Sequence, residues 1–216
     1  MEPGTIYIEV PTRLFLDGAT PSIESYRCIF YEIDNEYKNI AIGECTYQVL
    51  HLSKLCEEDY IDIIDEDMDR MDIFSSIFDW NMDYRDEFIE SINDDDLIET
   101  DFCPGFVYLE RFSIYPSYTN INKNIGLECM KKLLYYLSTT YYELIALEPV
   151  PYKYIENKGR ENIKIVNNKV QMLRWYWSLC GFRKIKDSNH MFTTYNDIME
   201  PIEYEKLANY EGISNF

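Results

Sequence analysis

Apolar and polar positions alternate over the first 55 residues in the way of β-strands. TIYIEV (5–10) is short and alternating, YRCIFYEI (26–33) is rich in aromatic and β-branched side chains, and NIAIGECTYQVLHL (39–52) follows the turn-forming DNEYKN. The last two runs predict an antiparallel hairpin. The period then changes. Ile61, Ile64, Met68, Met71, Phe74 and Phe78 recur every three or four residues, which places them on one stripe of a helix. DWNMD (79–83) interrupts the stripe, and Tyr84, Phe88 and Ile92 predict a second, shorter amphipathic helix. These methionines and aromatics read as core contacts. INDDDLIETDFCPG is a loop closed by Pro104 and Gly105.

The second half alternates strand and helix. FVYLERFSI (106–114) predicts a strand with Val107, Leu109 and Arg111 on one face. A helix opening near Gly126 carries Leu127, Met130, Leu133, Leu134 and Leu137. YELIALEPV is a strand halted by Pro149 and Pro151, and a polar loop with KGREN leads to a helix over 168–180, closed by Gly181. FRKIK and HMFTT, joined by DSN, predict a terminal hairpin, and residues 197–216 a tail or edge helix. This order predicts an α/β (α+β) fold with a mixed, mostly antiparallel sheet, parallel only in its middle and flanked by helices. No internal repeat breaks residues 1–216 into smaller units, so a single domain is expected.

Charge changes the picture in one segment. The formal net charge is −19, yet residues 57–101 hold 19 of the 39 acids and only two bases, Arg70 and Arg85. Such a field repels nucleic acid and anionic membrane surfaces and attracts cations, amines included. It serves either as a solvated helical face or as a steering field. Apolar content of 46% excludes a disordered chain. Six scattered cysteines (Cys28, Cys45, Cys56, Cys103, Cys129, Cys180) and two histidines (His51, His190) lack zinc-site spacing, so no metal is expected. MEPGTIYIEV has no basic region or apolar signal run, and no stretch reaches 18 uncharged apolar residues. The expectation is a cytoplasmic protein with reduced thiols, monomeric or homodimeric.

SIYPSYTNINKNIGLECMKKLL (113–134) carries the candidate chemistry. The first amides of a helix have no intrahelical partner, and the helix dipole adds partial positive charge, so a pyrophosphate fits there if the backbone is approachable. Asn122, Lys123, Asn124, Ile125 and Gly126 supply a suitable turn. The alternative is an ordinary strand-to-helix connection.

Over residues 106–195 the chain resembles the GNAT superfamily of N-acetyltransferases. Ile114, Pro116 and Tyr118 stand where that family has its strand end, proline and tyrosine, and IGLECMKKLL continues as its helix does. LRWYWSLCGF (173–182) is similar to its aromatic and Gly-Phe element, and YELIALEP and HMFTT to its later strands. Ile121, Asn124 and Gly126 stand at the family's Arg/Gln, Gly and Gly/Ala positions, and Trp177 stands at that of its usual acid tyrosine. Tyr176 lies one residue, or about 100°, away.

The resemblance implies a splayed parallel central strand pair and acetyl-CoA (coenzyme A) as acetyl donor. It implies that Phe112, Ser113 and Ile114 hold the acetyl and pantetheine arm, and that amides of Asn122, Lys123, Asn124, Ile125, Gly126 and Leu127 hold the pyrophosphate. Glu110 is the candidate base, and Tyr176 the candidate acid for the leaving thiolate. Each has a plain structural reading too, Glu110 as an ion-paired strand residue and Tyr176 as a core aromatic. His190 either lines the acceptor site or stands by. The acceptor is a primary amine, on a small molecule or a protein and favoured if cationic. The rival functions are a non-catalytic acetyltransferase-like protein that binds a partner through its acidic segment, and an acidic mimic of nucleic acid.

Overall fold

The computed structural model describes residues 4–14, 22–55, 68–92, 105–119, 124–140, 144–150, 163–194 and 197–198. Ile61, Ile64, Cys56, Cys103, Ile121, Asn122, Lys123, the KGREN loop and residues 199–216 lie outside them.

The hairpin expected from the first alternating runs is the longest pairing of the sheet. Strands β3 (Ile23–Ile33) and β4 (Asn39–Leu50) are antiparallel. Asp34 sets their turn, its Oδ1 accepting the amides of Glu36 and Lys38 at 2.8 Å each, with Tyr37 at φ 61°. Two three-residue strands, β1 (Ile6–Ile8) and β2 (Thr12–Leu14), share the outer side of β3.

Beyond β4 come α1 (Leu52–Leu55), α2 (Met68–Ile77) and α3 (Asp86–Ile89). The α2 stripe differs from the expected one. Ile73 and Ile77 join Phe74 and Phe78 in burial, while Met71 is half-buried. The chain turns at Asp79, and Phe78 and Tyr84 meet in a bridge and a ring stack at 5.2 Å.

β5 (Phe106–Ile114) lies antiparallel to β4 and leads through the single turn α4 (Pro116–Thr119) into α5 (Ile125–Thr139). The chain returns as β6 (Leu144–Leu147), the parallel neighbour of β5. Helix α6 (Ile163–Ser178) begins five residues before the expected start, and β7 (Arg183–Lys184) and β8 (Met191–Thr194) close the sheet as an antiparallel pair. Gly181, at φ 92°, ends α6, with the Phe182 amide reaching back to the Trp177 carbonyl. Among the described residues the sheet order is β1-β3-β4-β5-β6-β8-β7, with only β5–β6 parallel. The fold is therefore mixed α/β with a mostly antiparallel sheet.

Alternation along β5 and β6 builds a core on each face. Val107, Leu109, Ile145 and Leu147 face α5 and the end of α6; Phe106, Tyr108, Leu144 and Ala146 face α2 and α3. Leu127, Met130, Leu133, Leu134 and Leu137 of α5 are all buried, each contributing about 1.5–3 kcal/mol of burial. Arg111, expected on the face of Val107 and Leu109, is exposed. A bulge explains it: Thr46 pairs with Arg111 and Tyr47 with Leu109, leaving Glu110 as the extra residue and ending the regular alternation.

Candidate functional site

β5 and β6 pair only from Phe106–Leu144 to Leu109–Leu147. β6 stops because Pro149 has no amide for a ladder and the Val150 amide turns back to the Glu148 carbonyl at 2.8 Å. β5 runs on for five residues beside β4 alone, so a gap opens at the C-terminal end of the parallel pair. The Tyr115 amide donates to the Ile42 carbonyl at 2.8 Å. By antiparallel alternation the Ser113 amide faces β4 too, whereas the amides of Phe112 and Ile114 face the gap.

Glu110 sits at the bulge where the gap begins, half-buried on the α2 face. Its Oε1 accepts from Gln48 Nε2 at 2.5 Å, and Gln48 Oε1 accepts from Arg70 Nε of α2 at 2.9 Å. Gln48 is buried, so this chain of donors fixes the carboxylate. Sequence reasoning missed Gln48 and Arg70, since no local pattern joins positions 22 and 62 residues apart.

Tyr176 and Gly126 meet on the opposite face. The Tyr176 hydroxyl accepts from the Leu127 amide, and burial pushes its phenol up, keeping it protonated. A Cβ on Gly126 would lie 2.7 Å from that hydroxyl and 3.6 Å from Ile114 Cγ1. The hydroxyl therefore fills the space over Gly126, between the head of α5 and the end of β5. The structure brings Phe112, Ile114, Gly126, Leu127 and Tyr176 together, with Trp177 edge-on to Phe112 at 5.2 Å. Glu110 is separated from them by the thickness of the sheet. Asn124 and Ile125 open α5, with the Glu128 amide bonded to the Asn124 carbonyl at 3.0 Å.

A fit to the pyrophosphate of coenzyme A can be tested at this helix end. Gly126 does not leave its backbone open, because it is buried and the Tyr176 hydroxyl fills the space beside it. The Leu127 amide already has that hydroxyl as its acceptor, so the fit to a phosphate rests on the dipole of the helix end. The gap-facing amides of Phe112 and Ile114 suit a carbonyl and an amide-bearing arm.

On the α2 face, a polar groove of about 580 Å³ runs between α2 and the β7–β8 hairpin, lined by Asp72, Ser76, Glu148, Lys184 and His190 among others. Glu148 is the first residue past the last β5–β6 pair, and burial, then Asp69 and Asp72, raise its carboxyl above the usual range. His190 is lowered to about 4 by burial and is therefore neutral near pH 7. Another cavity, about 450 Å³ between α2 and α3, is lined by Phe74, Phe78, Trp80 and Tyr84.

Among the described residues no cluster of three or more His, Cys, Asp or Glu could hold a metal ion, and no helix is long and apolar enough to cross a membrane. Compared with models of protein families, with curated proteins and with solved structures, the chain matches none.

Proposed function

We propose that the chain is an acetyl-CoA-dependent N-acetyltransferase of the GNAT type. The observation that carries the reading is the parting of β5 and β6 after Leu109 and Leu147, with the Glu110 bulge at its start and the Phe112 and Ile114 amides directed into the gap. Acetyl-CoA supplies an acetyl group activated as a thioester. Phe112 and Ile114 would hold its arm and the acetyl carbonyl through their gap-facing amides, and its pyrophosphate would lie at the positive end of the α5 dipole. Glu110, fixed by Gln48, takes a proton from the acceptor ammonium through water. A gap-facing amide stabilises the negative charge that grows on the carbonyl oxygen as the C–N bond forms. Tyr176 hands its proton to the departing sulfur as the C–S bond breaks, and the second proton of the amine nitrogen restores it through solvent.

Calorimetric titration with acetyl-CoA, followed by an assay of free thiol release with a panel of primary amines, tests this. Glu110→Gln should lower kcat by about 10²–10⁴ and leave acetyl-CoA affinity unchanged. Equal turnover in the variant would remove Glu110 from the reaction.

A second reading has its own support. The Tyr176 hydroxyl already occupies the Leu127 amide, as in a helix end that serves only packing. A non-catalytic acetyltransferase-like protein, binding a partner through its acidic segment, predicts no acetyl-CoA binding at millimolar concentration.

A further inference from the structure

His190 retains only 7% of its surface, yet its Nδ1 has no hydrogen-bond partner among the described residues. An unsatisfied buried ring nitrogen costs about 1–3 kcal/mol unless a ligand or water completes it. His190 is held in place by its backbone. Its amide donates to Ser188 Oγ at 3.0 Å, and its carbonyl accepts from the Ile185 amide at 3.0 Å. The ring lines the polar groove together with Asp72 of α2 and Glu148 of the β6 end.

Asp72, Glu148 and His190 share the lining of one groove. His190 feels Asp72 and Arg174, and Glu148 feels Asp69, Asp72 and Arg174. Arg174 is anchored on the β7–β8 turn, its Nη2 donating to Asn189 Oδ1 at 3.0 Å. The groove is lined by four carboxylates, Asp72, Glu87, Glu148 and Asp187, and by three cations, of which Arg85 is paired with Glu87 and Lys186 with Glu90 while Lys184 lies at the exposed strand edge. Asp72 and Glu148 share it with the neutral acceptor nitrogen of His190, at the side of the β5–β6 gap occupied by Glu110. An alkylammonium head offers three donors and one positive charge, which this set can satisfy. A volume of about 580 Å³ is of the size that takes a small molecule.

We propose that the groove between α2 and the β7–β8 hairpin is an alkylammonium subsite in which His190 Nδ1, Asp72 and Glu148 receive the charged head. It rests on the reading above in one respect: in that reaction it is where the acceptor amine enters, from the face opposite Tyr176. The binding itself does not require the reaction.

The chain has only two histidines, so imidazole nitrogen resonances of the full-length ¹⁵N-labelled protein report on the site directly. Titration with 1,4-diaminobutane should shift the His190 signals saturably and leave His51 unmoved, and 1,4-butanediol should move neither. Glu148→Gln and Asp72→Asn should each weaken the apparent affinity about tenfold or more, as loss of a charged hydrogen bond does, in proteins whose unliganded spectra stay native. A silent His190 in millimolar diamine, or equal shifts from diamine and diol, overturns the subsite. A parallel acetyl-CoA titration separates the two ideas. Diamine binding without acetyl-CoA binding retains the subsite and removes the acetyltransferase reading. Acetyl-CoA turnover with a silent His190 does the reverse.

Discussion

Gly126→Ala places a methyl carbon 2.7 Å from the Tyr176 hydroxyl oxygen, where ordinary contact begins at 3.4 Å. The hydroxyl must retreat by about 0.7 Å, but the ring has little room. Tyr176 is nine-tenths buried and packs against Trp177 with ring centres 4.9 Å apart. The retreat stretches the bond from the Leu127 amide, costing about 1 kcal/mol, and overpacking adds about 1–3 kcal/mol. Better helix propensity returns up to about 1 kcal/mol, and less at the second residue of α5. The net expectation is a loss of about 1–4 kcal/mol. Tyr176→Phe removes the obstructing oxygen and leaves the Leu127 amide without its acceptor. In that background the added methyl enters vacated space, and Gly126→Ala should become neutral or slightly stabilising. Urea unfolding of the four proteins gives the coupling, expected at about 1 kcal/mol or more. Equal costs of Gly126→Ala in both backgrounds would refute the placement of the hydroxyl over the helix end.

The remaining predictions concern pH, a helix end and the thiols. Burial lowers His190 from 6.5 to about 4, so between these values the unfolded chain binds a proton that the folded chain refuses, and stability falls as pH drops. From pH 7 to pH 5 this group should remove about 2 kcal/mol, and His190→Gln should lose about that share of the pH dependence in urea unfolding. An identical slope in the variant counts against the buried neutral ring. Gly181→Ala must hold φ 92° with a Cβ 3.2 Å from the Asp197 carbonyl, and should cost about 1–2 kcal/mol in the same assay. Cys28, Cys45, Cys129 and Cys180 are buried, and burial pushes Cys129 and Cys180 up to about 12. Mass-resolved alkylation should label these four only after unfolding; rapid native labelling would contradict their burial.

The sequence made some of this legible, and the reasons are local ones. The β3–β4 hairpin follows from alternation around Asp34, and α5 from five apolar positions at helical spacing. β2 escaped notice because Thr12-Arg13-Leu14 has no apolar rhythm; its pairing with Tyr26 and Arg27 of β3 makes it a strand. The exposure of Arg111 depends on a bulge that only the β4 partner reveals. At the candidate site, Glu110, Gly126 and Tyr176 were each visible as residue types in a pattern. What unites Tyr176 with Gly126, or Glu148 with His190, is crossover topology, which brings together positions 50 and 42 residues apart. The one-residue offset of Tyr176 from the family's usual position did not by itself show that its hydroxyl would reach the head of α5.

The margins of the sheet bear on how the protein behaves when crowded. A long bare strand edge is a template onto which another chain can crystallise its own hydrogen bonds. Here one margin is divided between β1 and β2, three residues each with Pro11 between them, and the other ends in the two residues of β7. Among the described residues neither offers an unbroken ladder to a neighbouring molecule. The longest strands, β3 and β4, are enclosed on both sides. A newly made chain is thus most exposed to fibrous association before β1 and β2 dock, and removing the first 14 residues would lay bare eleven residues of β3 to other molecules.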